Sequence, residues 1–125
     1  MSRARRRALG GTWAGYLNQD VGAPFNDGNI RMRLKCGWRT IHGTGEYELV
    51  VNGATVAAEF RFSGGFRFDR FVMLEYKNAK DHVVQFGAVV LELSDESDCL
   101  AGRYAGYGSI SKTPVSGAMS LRRFN

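Results

Sequence analysis

Seven polar side chains in the second half of the chain carry the chemistry that most needs placing: Tyr76, Gln85, Tyr104, Tyr107, Ser109, Lys112 and Thr113. Phenols, an amide, hydroxyls and one ammonium stack on flat rings and make hydrogen bonds. They do not by themselves break covalent bonds. The run Gly108-Ser109-Ile110-Ser111-Lys112-Thr113 has the glycine, hydroxyls and lysine that suit a phosphate, but not the spacing of a Walker loop. No GxSxG, HExxH or GxGxxG motif occurs. Adjacent carboxylates such as Asp95-Glu96 fall in turns or on outward faces, where water solvates them, so no acid/base constellation is assembled. Cys36 and Cys99 lack CxxC or Cys/His spacing, and His42 and His82 fall in turn-like stretches, which reads as solvated loops rather than a metal pair. The residues point to binding rather than catalysis, with no metal and no cofactor.

Eight short β-patterned segments position these groups: Gly11–Asn18, Ile30–Trp38, Gly45–Val51, Thr55–Phe62, Phe68–Tyr76, Val83–Leu93, Cys99–Tyr107 and Gly117–Arg123. Turn signals separate them, the strongest being Asn52-Gly53, and no stretch has a convincing helical period. Sequential strands avoid exposed edges by closing, so the expected fold is all-β, an eight-stranded antiparallel up-and-down barrel. An interior of that size is filled by side chains or holds one small ligand.

Alternation assigns the faces. Ile30, Met32, Leu34 and Cys36 must face inward because Arg31, Arg33 and Lys35 must face water; Tyr47 and Leu49 stand against Glu46 and Glu48 in the same way. Trp13, Phe60, Phe62, Val89, Leu91, Leu100, Met119 and Leu121 are the expected core, and the same parity sends Phe68 and Arg70 inward. The connections then sort into two rims. One gathers residues 39–44, 63–66 and 94–98 with both termini, where Trp13 and Arg122 or Arg123 are expected to form a cation–π plug. The other gathers 19–28, 52–53, 77–82 and 108–116, has the longer Gly/Ser/Lys-rich loops, and takes in the seven polar residues. Phe60, Phe62, Leu74 and Leu91 would suit an apolar guest, and a filled core with interacting rims is a further alternative.

The formal charge of +5 is almost entirely terminal. Arg3, Arg5, Arg6 and Arg7 supply four charges, leaving 13 Lys/Arg against 12 Asp/Glu in residues 8–125. Residues 1–8 therefore read as a flexible basic tail and 9–125 as one barrel domain, too nearly neutral for a general nucleic-acid binder. No apolar run is long enough to cross a membrane as a helix, and no apolar stretch follows the arginines as a secretory signal would; with only two cysteines, a reducing, cytoplasmic setting is expected.

Gly11-Thr12-Trp13 is similar to the G-x-W opening of calycin barrels, the lipocalins and avidins. Leu74-Glu75-Tyr76-Lys77-Asn78, the run Gln85–Leu91, Leu100-Ala101-Gly102-Arg103-Tyr104 and the run Ser116–Arg122 resemble a narrower family. It is the C-terminal receptor barrel of the two-transmembrane β-barrel effectors of CBASS antiphage defence. The resemblance spans roughly residues 9–123. It implies a non-catalytic effector domain that binds a cyclic oligonucleotide second messenger, with no extended nucleic acid as partner and a homo-oligomer left open. The sequence departs from that family in two ways. Its paired N-terminal transmembrane helices, the route to the inner membrane, are missing, and Gln85-Phe86-Gly87 stands where the family often has a histidine before the glycine.

Overall fold

The computed structural model describes residues 3–21, 27–51, 53–109 and 112–124. Among them are one short helix, α1 (Arg3–Ala8), and eight strands: β1 (Gly11–Val21), β2 (Asp27–Cys36), β3 (Ile41–Val51), β4 (Ala54–Arg67), β5 (Phe71–Asn78), β6 (Phe86–Leu93), β7 (Cys99–Tyr107) and β8 (Pro114–Phe124). Each strand pairs antiparallel with the next, and β8 returns to β1 through Gly15 opposite Leu121, which closes the barrel. The expected all-β, up-and-down, eight-stranded barrel is the fold observed.

The inner face follows the alternation. Trp13, Met32, Leu34, Val72, Leu91, Leu100 and Leu121 are buried, while Arg31, Arg33, Glu46, Glu48, Glu59 and Arg61 point outward. Burial is graded along the axis. Residues at the terminal rim, including Leu9, Trp13, Ile41 and Leu100, are 0% exposed, whereas Leu17, Tyr47, Phe60, Tyr104 and Val115 toward the other rim retain 6–8%. One end is packed shut and the other is not.

The packed end is shut by the segment expected to be a flexible tail. That reading is corrected for residues 3–8, which form α1 and dock on the rim. The Arg5 guanidinium reaches the turns of the barrel: Nε donates to the Asp69 carbonyl at 2.9 Å, Nη1 to the Ser94 carbonyl at 2.9 Å and Nη2 to the Leu93 carbonyl at 3.2 Å. Arg6 Nη2 donates to the Gly37 carbonyl at 2.8 Å. A guanidinium has five donors in a fixed fork, so one side chain satisfies several rim carbonyls that would otherwise turn toward a half-dry cap. The arginine run is in part a structural plug, and Leu9 behind it is buried. Below it Trp13 Nε1 donates to the Leu9 carbonyl at 3.0 Å, and Arg123, one of the two arginines expected there, stacks 4.6 Å from the Trp13 ring.

Two further readings are corrected at this rim. Gly64-Gly65 is no turn: β4 runs through it to Arg67, and the chain reverses at Phe68 and Asp69, both at φ 56°. Phe68 is therefore 84% exposed rather than inward. Arg70 also lies outside, half exposed, with Nε 3.8 Å from Glu92 Oε2. His42 sits inside β3 rather than in a turn, with Nε2 3.0 Å from Thr40 Oγ1. Asn52 of the expected Asn-Gly turn lies outside the described residues; Gly53 has φ 81°, as such a turn requires.

Candidate functional site

At the less packed end the interior opens into a cavity of about 60 Å³ that reaches solvent at its mouth. Its walls are mostly apolar, with Leu17, Ile30, Leu49, Phe60, Phe62, Val89, Val115 and Met119. The polar side chains on the lining are Gln19, Tyr47, Tyr76, Gln85, Tyr104, Tyr107 and Ser109, none of them charged. An apolar cavity of roughly 150 Å³ accommodates benzene, so this one takes the edge of a flat ring and leaves the rest of a ligand outside. A broader hollow of about 960 Å³ lies over outward residues such as Arg31, Glu46 and Glu59, where mixed charges meet water.

Strand geometry explains why the phenols converge. Tyr47 on β3 stands opposite Ala58 on β4, two positions from Phe60, and stacks on that ring at 5.0 Å between centroids. Tyr76 on β5 meets Phe60 edge-on at 5.5 Å. Its hydroxyl lies over Gly87 and Gly106, which face each other across β6 and β7; a Cβ on either would come within 2.5 Å of that oxygen. The glycine pair is thus the seat of the Tyr76 hydroxyl. Tyr104 on β7 completes the group.

Hydrogen bonding divides the three phenols. The Lys80 amide donates to Asn78 Oδ1 at 2.8 Å, Asn78 Nδ2 donates to Gln85 Oε1 at 2.9 Å, and Gln85 Nε2 donates to the Tyr47 hydroxyl oxygen at 3.0 Å. The Tyr104 hydroxyl is buried with no partner, the one such side-chain atom among the described residues. Leaving a buried hydroxyl unpaired costs about 1–3 kcal/mol, a cost expected where a ligand supplies the missing partner.

Of the seven residues singled out in the sequence, the structure brings Tyr76, Gln85, Tyr104, Tyr107 and Ser109 to the cavity and leaves Lys112 and Thr113 off its lining. Tyr107 lies at the mouth, its ring stacked on Phe86 at 6.1 Å. Lys112 is exposed at φ 52°, its amide bonded to the Gly108 carbonyl at 2.9 Å. Ile110 and Ser111 of the same loop lie outside the described residues. Sequence reasoning placed Tyr47 inward without assigning it to the site, and it missed Asn78. Tyr47 precedes the Asn52-Gly53 turn signal in the sequence by five residues, which already points to this rim.

Burial raises all three phenols. Tyr76 is pushed up to about 12 by desolvation first and the neighbouring Tyr47 second; Tyr104 and Tyr47 are raised chiefly by desolvation as well. A raised phenol favours the fold while the unfolded chain stays neutral. This stability is therefore fully present below about pH 10 and is lost as pH climbs from about 10 toward 12. Urea titrations at about pH 8, 10 and 11.5 should show the midpoint constant over the first interval and falling over the second. An unchanged midpoint at about pH 11.5 would contradict the burial of these hydroxyls.

Among the described residues no group of three His, Cys, Asp or Glu could hold a metal ion, and no helix is long and apolar enough to cross a membrane. No protein-family model and no curated protein matches the chain, so geometry alone carries the functional reading.

Proposed function

We propose that this protein is a non-catalytic receptor barrel that binds a cyclic oligonucleotide at its open end, one base entering edge-first while the phosphates stay outside. The observation that carries the reading is the unpaired Tyr104 hydroxyl, buried on the wall of a cavity that is otherwise apolar and aromatic. Pockets of this kind bind flat, uncharged groups and use a few placed polar atoms to orient them. A base stacks on aromatic rings with little regard to sequence, and Tyr47, Phe60 and Tyr76 offer such rings. No charged side chain lines the cavity, which disfavours phosphate inside it. Lys112, exposed on the rim loop, would supply a cation for phosphate outside the cavity in this reading. The apolar-carrier alternative draws on the same walls, but a guest without polar atoms would leave Tyr104 unpaired.

Calorimetric titration with a panel of cyclic di- and trinucleotides tests this. At least one should bind with Kd of roughly micromolar or tighter. Tyr104→Ala should weaken that binding about 5- to 150-fold through lost stacking of roughly 1–3 kcal/mol. Lys112→Ala should weaken it less, and mainly at low salt, because a rim charge is screened. Binding of a fatty acid in place of every nucleotide would install the carrier reading, and silence from both panels would favour a filled-core interaction module.

A further inference from the structure

The orientation of the polar chain at the cavity wall is fixed from its far end. A backbone amide can only donate, so the Lys80 N–H identifies the Asn78 atom it meets at 2.8 Å as the carbonyl oxygen. Nδ2 of Asn78 must then be the group facing Gln85, and Gln85 must receive it on Oε1. That leaves Gln85 Nε2 as the donor to the Tyr47 oxygen. Amide orientation, ordinarily a choice between two near-identical fits, has one solution here. The Tyr47 oxygen accepts from Gln85, so its own proton cannot lie along that line. Tyr47 is 7% exposed and lines the cavity, and no described group accepts its proton.

We infer that Tyr47 is the specificity-determining donor of the cavity, so that the ligand edge entering it carries a neutral acceptor of the ring-carbonyl class. Asn78, off the cavity lining, and Gln85, on it, act as positioning residues: the hydrogen bonds that join them dictate which way the Tyr47 hydroxyl points. Tyr104, whose hydroxyl is unpaired, rotates to suit a second polar atom on the same edge. A guest presenting only an N–H donor could be met by Tyr104 but would face the Tyr47 proton head-on and leave that proton unsatisfied. Polar mismatch of this kind discriminates more sharply than a change of size.

The inference rests on reading the cavity as a binding site, and the experiment separates the two. NMR titration of the full chain uses three small probes: 1-methyl-2-pyridone with a ring carbonyl and no donor, aniline as a donor, and toluene with neither. The wild type should bind the pyridone about tenfold more tightly than aniline. Asn78→Asp inverts the relay. Its second oxygen can only accept, so Gln85 turns its NH₂ group toward it and offers Oε1 to Tyr47, whose proton is drawn away from the cavity. Gln85→Glu reaches the same end independently, since a carboxylate accepts from both Asn78 and Tyr47. In both variants the ratio should fall to parity or reverse in favour of aniline. If one variant fails to fold, the other carries the test. Equal binding of pyridone and aniline by the wild type, or a ratio unchanged in the folded variants, overturns the inference and leaves the binding reading standing. No binding of any probe overturns both.

Discussion

Trp13→Ala will lower stability by about 3–5 kcal/mol, the usual cost of emptying a large aromatic site in a core. The value belongs near the top of that range for three reasons in the geometry. The ring is 0% exposed, its Nε1 holds the Leu9 carbonyl at 3.0 Å, and the Arg123 guanidinium covers it at 4.6 Å. Truncation therefore opens a hole and also releases the join between α1 and the barrel. For a domain of this size the melting temperature should drop on the order of 10–20 °C, a large share of a typical total stability of about 5–15 kcal/mol. Trp13→Phe, which keeps most of the volume and loses the N–H, should cost less than half as much. A near-neutral Trp13→Ala in thermal and urea unfolding would mean that this end of the barrel is not sealed as described.

Gly64→Ala should be strongly damaging as well, on the order of 3 kcal/mol. Gly64 faces Leu74 across β4 and β5, and a Cβ there would lie 1.8 Å from the Met73 carbonyl oxygen. That atom is backbone, fixed by the strand ladder, so the strands must part for the methyl group to fit. Gly53 provides the contrast, because nothing lies within 4 Å of a Cβ at that position. Gly53→Ala should cost only about 1–2 kcal/mol, from the left-handed backbone at φ 81°. Urea unfolding of the two variants side by side checks the order; a Gly53 variant less stable than the Gly64 variant would contradict the β4–β5 register.

The same glycine marks where sequence reasoning succeeds and fails. Arg31, Arg33 and Lys35 in β2, Glu46 and Glu48 in β3, and Glu59 and Arg61 in β4 can only face water, which assigns the inner face with no reference to tertiary structure. Gly64-Gly65 looks like a turn because glycine serves both tight turns and close strand approach, and local sequence does not separate the two uses. The actual reversal uses Phe68 and Asp69, a pair with no glycine, so β5 begins only at Phe71: Phe68 and Arg70 fall in the turn and lie outside, while Val72 and Leu74 keep the expected inward parity. α1 was hidden for another reason: four arginines in five residues read as solvated charge until the carbonyls of Leu93, Ser94 and Asp69 are brought to meet one of them. At the open end the phenols and Gln85 could be placed from strand parity. The relay through Asn78 could not, because it depends on the backbone amide of Lys80 in a turn whose shape the residues do not spell out.

The central claim is that the open end of this barrel is built to receive a ligand and keeps the Tyr104 hydroxyl unpaired for it. Urea unfolding of Tyr104→Phe against the wild type, each alone and with the cyclic di- and trinucleotide panel, tests it most directly. Alone, the variant should be more stable by about 1 kcal/mol, because a buried oxygen without a partner is removed while the ring stays. With the nucleotide that most stabilises the wild type, the variant should gain less, since binding raises stability in proportion to RT ln(1 + [L]/Kd). A Tyr104→Phe variant less stable than the wild type on its own, or one stabilised to the same extent by every member of the panel, would contradict the account.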